Sequence, residues 1–387
     1  MISIENFYWI LFENLLKPVG LDAWYYYPFG TTDNLSTTDE FPRWDQPKRE
    51  DHVLFHFDQE PLWSTHLGSL YERKGGAWSS KMMRVLANSE QSSIKRKICE
   101  SRGMLDWYFF YHGFAALDWF RDCQFVAECA PIERVFNSFN HLVTGKRAYR
   151  LALTARLLDL GLEDFGHISF HGSDQQLRTE VLDPATELSR QDRNLIESHI
   201  VRGSLRRRLL DTEDIDSNLS ARLGHKEYKL WQKSFLHLVN ETVFYDPKLH
   251  LTEKIFKPIV ALRPFILVAA PGNLAYLRSY GFKTFSQWID ESYDDELNPG
   301  ARLDRIGAEV ARLCGKSMSE LNSIYCDMRP TLEFNKQHFF NAFRDIIIDE
   351  LVENFDTCIR VWNNGRVDGR ERSGFLDLSQ IKQVFKK

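Results

Sequence analysis

The sequence predicts an α/β protein of two facing Rossmann-like domains, with a C-terminal helix that packs back across both. Three observations predict this class. At 387 residues the chain exceeds what one hydrophobic core usually covers. Short apolar runs alternate with longer amphipathic segments along its whole length. One stretch of the second half follows the order strand–helix–strand–helix–strand, which is typical of a parallel, doubly wound sheet.

Three apolar runs in the first half are predicted strands, and each ends in a polar tip. The runs are 53–57, 84–87 and 108–111, and their tips are 58–60, 88–90 and 112–113. Ligands of open α/β sheets bind beyond the carboxyl ends of the strands, so successive tips predict one wall of a cleft. Asn88 and His112 are therefore candidate acceptor-binding residues. A structural role for His112 after an aromatic strand is the alternative.

The middle of the chain predicts a helix, a strand and an insertion. Residues 146–160 carry an apolar stripe at helical spacing, and Gly161 supplies the stop. Residues 167–170 are a predicted strand. Residues 172–229 are polar and highly charged, which predicts a helical or loop-rich insertion that connects the domains.

The second half predicts the doubly wound unit. Its predicted strands are 235–244, 264–270 and 283–285, and its predicted helices are 251–262, a segment ending at Gly281, 302–313 and 337–362. The run 264–270 lacks alternation, as expected of a strand buried on both faces. The expected domains are residues 1–165, residues 166–335 with the insertion 172–229, and a C-terminal helix and tail at 336–387.

Composition and motifs exclude several classes of protein. The net charge of −5 supplies no global basic field for nucleic acid. The six cysteines form no C-x-x-C pair and match no zinc spacing, which favours free thiols in a reducing compartment. No G-x-G-x-x-G or G-x-x-x-x-G-K-[ST] sequence occurs, so the usual dinucleotide dehydrogenases and P-loop kinases lose support and no cofactor is expected.

No membrane-spanning segment is expected either. The apolar stretch 7–12 is about half as long as the core of a signal peptide and lacks a basic leader. A spanning helix needs about 20 apolar residues, and no run approaches that length. The expected location is the cytoplasm.

The segment Thr252-Glu253-Lys254 is the sharpest chemical feature. Thr252 predicts an N-cap, which puts Glu253 and Lys254 in a first turn where backbone N–H groups favour an anion such as a diphosphate. Glu253 could accept two ribose hydroxyls, and Lys254 adds a point charge. Pro258 lies inside the predicted helix, so we expect a kink or a separate first turn. A well-capped helix start with solvated charges is the alternative.

This segment, with the buried Pro-Phe-Ile strand and the Pro-Gly turn that follow, resembles the donor half of fucosyltransferase-like glycosyltransferases of the GT-B type. The string 240–294 is similar to uncharacterised phage and bacterial relatives of those enzymes. The resemblance implies that Glu253 and Lys254 bind the donor's ribose and pyrophosphate. It also implies an arginine for the distal phosphate, for which Arg147 and Arg150 are the candidates.

The tip 58–60 supplies the candidate catalytic base. An inverting transferase needs a carboxylate that takes the proton of the acceptor hydroxyl. Glu60-Pro61 is similar to a Glu-Pro sequence on the acceptor side of fucosyltransferases, which favours Glu60, with Asp58 close behind. The motif does not separate the two, and a capped turn that merely ends a strand is an equal alternative.

The acidic run 290–294 suggests a metal site at first sight. Fucosyltransferase-like enzymes use basic residues to neutralise the leaving diphosphate, so the resemblance implies no metal. The run is then expected to be donor-domain surface or an interdomain latch.

The expected function is transfer of a sugar from a nucleotide-sugar donor to an acceptor hydroxyl, by an inverting, metal-independent reaction. The acceptor is a glycan or, in the alternative, modified DNA of a phage, to which the basic clusters 95–97 and 206–208 would bind through phosphates. A non-catalytic nucleotide-binding α/β protein is the second alternative.

Overall fold

The fold is a mixed α/β structure with two parallel sheets. A computed structural model describes residues 4, 7–16, 22–26, 52–58, 61–62, 83–123, 131–170, 174–183, 186–205, 230–364 and 382–384. The chain forms two compact units. Unit 1 takes residues 1–118 and 342–387, and unit 2 takes residues 119–341.

Unit 1 holds a sheet whose four strands are parallel and follow chain order. They are β1 (Asp22–Tyr26), β2 (His52–Asp58), β3 (Met83–Asn88) and β4 (Leu105–Tyr108). The helices here are α1 (Phe7–Leu11), α2 (Ser93–Arg102) and α3 (Tyr111–Trp119), with a π-helical turn at Phe12–Leu16. The register aligns Asp58 with Asn88 and Asn88 with Tyr108, so these three strand ends meet at one edge.

The last long helix, α11 (Arg344–Asn364), completes unit 1 by packing on β4. The Trp107 indole donates to the backbone oxygen of Leu351 at 3.0 Å, and its ring packs against Phe355 with centroids 4.9 Å apart. Asn354 donates to the backbone oxygen of Tyr108 at 2.9 Å. The helix therefore both buries the apolar face of β4 and satisfies its polar groups.

Unit 2 holds the second sheet, which is also parallel throughout. Its strands are β5 (Arg134–Asn140), β6 (Gly166–Phe170), β7 (Ser234–Asn240) and β8 (Phe265–Val268), in the order β6-β5-β7-β8. The helices are α4 (Tyr149–Asp159), α5 (Asp174–Leu182), α6 (Arg190–Val201), α7 (Phe256–Val260), α8 (Asn273–Ser279), α9 (Pro299–Cys314) and α10 (Met318–His338). Because every side chain of β7 and β8 is buried, this sheet is covered on both faces.

The structure divides the chain differently from the boundaries expected at 165 and 335. The strand β5, which the sequence analysis did not assign, is hydrogen-bonded to both β6 and β7, so the residues around it belong to the second sheet. The division falls at 118/119 and 341/342. Unit 1 thereby takes chain from both ends of the sequence.

Most predicted strands and helices are confirmed, but several differ. The strand predicted at 108–111 lies at 105–108, and α3 begins at Tyr111. A short apolar run fits a buried helix as well as a strand, which explains the error. The residues predicted as a strand at 283–285 have no regular structure. The insertion 172–229 contains α5 and α6, and its residues 206–229 lie outside the described part of the chain.

The predicted single helix 337–362 is interrupted. A π-helical turn at Phe339–Phe343 joins α10 in unit 2 to α11 in unit 1. Phe339 packs against Phe256 of unit 2 at 5.0 Å between centroids, and Phe343 packs against Phe110 of unit 1 at 5.7 Å. The extra residue of a π turn rotates the helix that follows it, so each phenylalanine enters the core of its own unit. None of the helices in the described ranges has the length and apolar character needed to cross a bilayer.

Candidate functional site

The strand order of unit 2 identifies where a ligand would bind. From β5 the chain moves outward to β6, then returns to the other side of β5 for β7 and β8. The connections that follow the neighbouring strands β5 and β7 therefore leave in opposite directions. In open α/β sheets the crevice at such a switch point, beyond the carboxyl ends of the strands, is the usual ligand site.

Both strands that flank this switch point end in asparagine. Asn137 of β5 pairs with His237 of β7, so Asn140 and Asn240 lie side by side three residues further on. Both are buried, at 4% exposure. Asn240 donates to the Ser138 hydroxyl of β5 at 3.1 Å, which places the amide side chains on one face of the sheet. Neither asparagine was among the site residues predicted from the sequence.

Tyr149 and Arg150, at the start of α4, hold the end of β7. The Tyr149 hydroxyl donates to the backbone oxygen of Glu241 at 2.5 Å, and its ring stacks on Phe244 at 4.2 Å. Burial raises the pKa of Tyr149, which keeps the hydroxyl protonated as a donor. Arg150 donates to the backbone oxygens of Leu142 at 2.7 Å, Asn240 at 2.8 Å and Glu241 at 3.0 Å, and to the Tyr149 hydroxyl at 3.4 Å.

This geometry separates the two arginines that the sequence analysis proposed for a phosphate. An arginine has five N–H donors, and Arg150, buried at 4% exposure, directs four hydrogen bonds to protein oxygens. Arg147 is half-buried, in a 3₁₀ turn (Gly145–Arg147) that leads into α4. The Thr144 side chain, just before this turn, makes no capping bond to it. Arg150 is thus committed to the fold of unit 2, and Arg147 stays a predicted phosphate contact.

We expect Arg150→Met to lower the free energy of unfolding by more than about 3 kcal/mol, because each stranded buried acceptor costs about 1–3 kcal/mol. Arg150→Lys should not restore stability, since an ammonium lacks the fork that reaches three carbonyls. Urea denaturation measures the effect. The matched control is Arg147→Met, which should change the stability by less than about 1 kcal/mol. Equal stability of Arg150→Met and the parent would contradict the role assigned to Arg150.

The buried carboxylate of Glu241 ties the tip of β7 to the Thr252 turn. It accepts from the Thr252 hydroxyl at 2.6 Å, from the Thr252 backbone N–H at 3.2 Å and from the Thr242 backbone N–H at 3.3 Å. Thr252 is the N-cap of a 3₁₀ turn (Glu253–Ile255), which confirms the predicted cap. The sequence showed Glu241 within the string 240–294 but gave it no role.

Lys254 is a partly exposed cation next to this network. Its amino group contacts the hydroxyls of Thr252 at 3.0 Å and Thr242 at 3.4 Å, and the carboxylate of Glu253 at 3.2 Å. The Lys254 side chain is 30% exposed, and that of Glu253 is 7% exposed. The turn therefore combines a partly exposed ammonium with a nearly buried carboxylate.

The helix that follows this turn is shorter than the sequence suggested. The expected separate first turn is present, since the 3₁₀ turn ends where α7 begins, and Pro258 lies in the first turn of α7. A proline there removes no helical hydrogen bond. Because the two pieces have three and five residues, their combined dipole is small, and Lys254 itself is the stronger attraction for an anion.

The acidic run 290–294 serves the fold of unit 2. The Asp294 carboxylate accepts from the Leu274 backbone N–H at 3.0 Å and so caps α8 from outside the helix. Glu291 accepts from the Phe285 backbone N–H at 2.6 Å, and the Tyr293 hydroxyl accepts from the Leu267 backbone N–H at 3.1 Å. Burial raises the pKa of Asp294, and the backbone donors of α8 oppose that shift. Among the described residues no group of three His, Cys, Asp or Glu side chains could hold a metal ion.

In unit 1 the structure aligns two of the residues predicted at strand tips. The main chain of Asp58 pairs with that of Asn88 at the carboxyl ends of β2 and β3. The Asn88 side chain is buried and accepts from the Glu90 backbone N–H at 2.7 Å, so it stabilises the turn after β3. The Asp58 side chain and all of Glu60 lie outside the described residues.

His112 and the basic cluster 95–97 differ from expectation. His112 is not a strand tip; it is the second residue of α3, it is 9% exposed, and its ring meets that of Tyr111 edge-on at 5.6 Å. Lys95 is buried, with its amino group 2.6 Å from Asp106 and 3.0 Å from the backbone oxygen of Asn88. Its charge is therefore engaged by Asp106 and a backbone oxygen within unit 1, so Lys95 does not contribute to a DNA-binding surface. The second cluster, 206–208, lies outside the described residues.

Comparisons with known proteins add little to this geometry. No protein-family model matches the chain, and no curated protein matches it. Among solved structures, a point mutant of S. aureus TarM, crystallised with Fondaparinux, alpha-GlcNAc-glycerol and UDP, matches with 8% identity and a TM-score of 0.30. The match covers 76% of this chain and 56% of that one, so the chain spans little more than half of that protein's length. A TM-score this low does not establish a shared fold.

Proposed function

We propose that the chain is a glycosyltransferase and that unit 2 binds the nucleotide-sugar donor at the switch point between β5 and β7. The observation that carries this proposal is the position of Lys254. A partly exposed ammonium is held by Thr252, Thr242 and Glu253, directly beyond the end of β7. A cation fixed at the carboxyl edge of a parallel sheet suits the phosphates of a nucleotide.

The proposed donor contacts follow from the chemistry of these side chains. A phosphate oxygen can replace the Thr242 hydroxyl, which is the longest of the three contacts of Lys254, at 3.4 Å. Arg147 supplies a second cation from the turn before α4. The Glu253 carboxylate accepts ribose hydroxyls. Two cations at the diphosphate would stabilise the negative charge that develops as it leaves, which is the basis for a reaction without a metal ion.

The acceptor side of the proposal lies in unit 1. Asp58 or Glu60 acts as the base that removes the proton of the acceptor hydroxyl, with inversion at the anomeric carbon. Asn88 and His112 stay candidates for acceptor contacts. The burial of Lys95 takes away part of the basic surface that a DNA acceptor would need, so we favour a glycan acceptor.

A thermal-shift screen of the full chain with nucleoside diphosphates and nucleotide sugars tests the proposal. We expect at least one nucleotide sugar to raise the Tm by several degrees, because a ligand at 100 times its Kd stabilises a protein by about 2.7 kcal/mol. The shift and the turnover should both persist in EDTA. Turnover that is lost in EDTA and restored by manganese or magnesium would contradict metal independence.

The same screen separates the rival functions. Donor binding without transfer, and without slow hydrolysis of the donor, would identify a non-catalytic nucleotide-binding protein. A Tm that no nucleotide or nucleotide sugar changes would refute the donor site itself.

A further inference from the structure

The amide side chains of Asn140 and Asn240 are polar groups that the fold buries without fully pairing them. The Oδ1 and Nδ2 atoms of Asn140 are both buried and have no hydrogen-bond partner among the described residues. The Oδ1 atom of Asn240 is also buried and has no hydrogen-bond partner among the described residues, while its Nδ2 donates to the Ser138 hydroxyl. Three amide atoms are thus left without a described protein partner at the ends of two adjacent strands.

Such groups oppose folding. A buried donor or acceptor without a partner destabilises the native state by about 1–3 kcal/mol, and most buried polar atoms in proteins are paired. Asn137, on the same strand β5, shows the ordinary arrangement, since its Oδ1 accepts from the Ser234 hydroxyl at 2.7 Å. The contrast within one strand indicates that Asn140 and Asn240 serve something other than stability.

The surroundings define the charge of a group that would pair with these amides. The nearby guanidinium of Arg150 is engaged by the backbone oxygens of Leu142, Asn240 and Glu241. The Glu241 carboxylate is engaged by Thr252 and Thr242. Both neighbouring charges are engaged within the protein, so an uncharged group that both donates and accepts hydrogen bonds would pair all three amide atoms.

We propose that Asn140 and Asn240 form a recognition subsite for an uncharged, hydroxyl- or amide-bearing part of the nucleotide-sugar donor. The subsite rests on the proposed function, and it adds the residues that select the donor. Two parts of the donor have this chemistry, the amide edge of the nucleobase and the hydroxyls of the sugar. A site built to pair with such groups rejects analogues that lack them, because its own buried polar atoms then stay unpaired.

The test uses Asn140→Leu and Asn240→Leu, which keep the approximate volume and remove the amide. Without ligand, we expect Asn140→Leu to have a Tm equal to or above that of the parent, because a wholly unpaired buried amide is removed. Asn240→Leu also loses the bond to the Ser138 hydroxyl, so its Tm should be lower. Calorimetry should show at least a 10-fold loss of affinity for the donor. If UDP and GDP lose affinity as well as the nucleotide sugars, the amides contact the base. If only the nucleotide sugars lose affinity, the amides contact the sugar.

Asn137→Leu is the matched control on the same strand. It should lower the Tm, because it removes the bond that the Ser234 hydroxyl donates to the Asn137 amide oxygen at 2.7 Å, and it should leave the donor affinity of the folded protein unchanged. A lower Tm for Asn140→Leu, or donor affinities within 2-fold of the parent for both Asn140→Leu and Asn240→Leu, would overturn the subsite alone. If the parent binds no nucleotide or nucleotide sugar, the proposed function fails, and the subsite fails with it.

Discussion

Lys254→Ala is expected to weaken binding of UDP or GDP by about 10- to 150-fold, which corresponds to roughly 1.5–3 kcal/mol for a charge-assisted hydrogen bond. The fold should stay intact, because the Lys254 side chain is 30% exposed and Thr252 keeps its bond to Glu241 without it. Calorimetry on the variant and the parent measures the loss. Lys254→Met, which keeps most of the aliphatic stem, should behave in the same way if charge is the cause.

The matched control for Lys254 lies at the opposite edge of the same sheet. Lys233 precedes β7, is about half exposed and pairs with Glu133 at 2.9 Å. Lys233→Ala should leave nucleotide affinity unchanged. An unchanged affinity in Lys254→Ala would remove Lys254 from the binding site.

Glu60→Gln or Asp58→Asn is expected to lower turnover by about 10²- to 10⁴-fold, the contribution of a general base to proton transfer. Both changes keep the shape of the side chain and remove its charge, so the affinity for the donor should not change. Single-turnover rates and donor titrations on each variant separate chemistry from binding. The residue whose replacement has the larger effect is then the base.

Asp22→Asn is the control for the base, because Asp22 begins β1 at the amino edge of the same sheet. It should leave turnover within a few-fold of the parent. If Glu60→Gln and Asp58→Asn also turn over within a few-fold, the base lies elsewhere, and His112 is the next residue to replace. Loss of donor binding in either would show that the donor and acceptor halves are assigned the wrong way round.

The α/β class and most strands followed from the sequence because their apolar runs are strong signals. Every residue of β7 and β8 is buried, and the apolar runs 235–244 and 264–270 predict buried strands there. β5 has the sequence RVFNSFN, in which asparagine and serine interrupt the apolar residues, so no strand was assigned there. Because β5 is a central strand, its omission also displaced the domain boundary.

Part of the candidate site could be predicted from the sequence. The Thr252 cap and the exposure of Lys254 follow from local chemistry, and local chemistry is what a motif encodes. Asn140 and Asn240 are 100 residues apart in the chain, and only the register of β5 and β7 makes them neighbours. One signal was present: both strands end in an apolar residue followed by asparagine, Phe139-Asn140 and Val239-Asn240. Arg150 shows the converse, since its charge is evident from the sequence but the three carbonyls that engage it are not.

The divided composition of unit 1 affects the order in which the protein can fold during synthesis. Unit 2 is one continuous stretch, 119–341, so all of its strands leave the ribosome before α11 is made. The cover of β4, including the bond from the Trp107 indole to Leu351, forms only after residues 344–364 are complete. The strands of unit 1 are synthesised first, but they lack α11 until its synthesis is complete. Unit 2 is synthesised before α11 and can fold before unit 1 does. The apolar face of β4 is the surface that a nascent chain of this protein would leave open longest to chaperones or to aggregation.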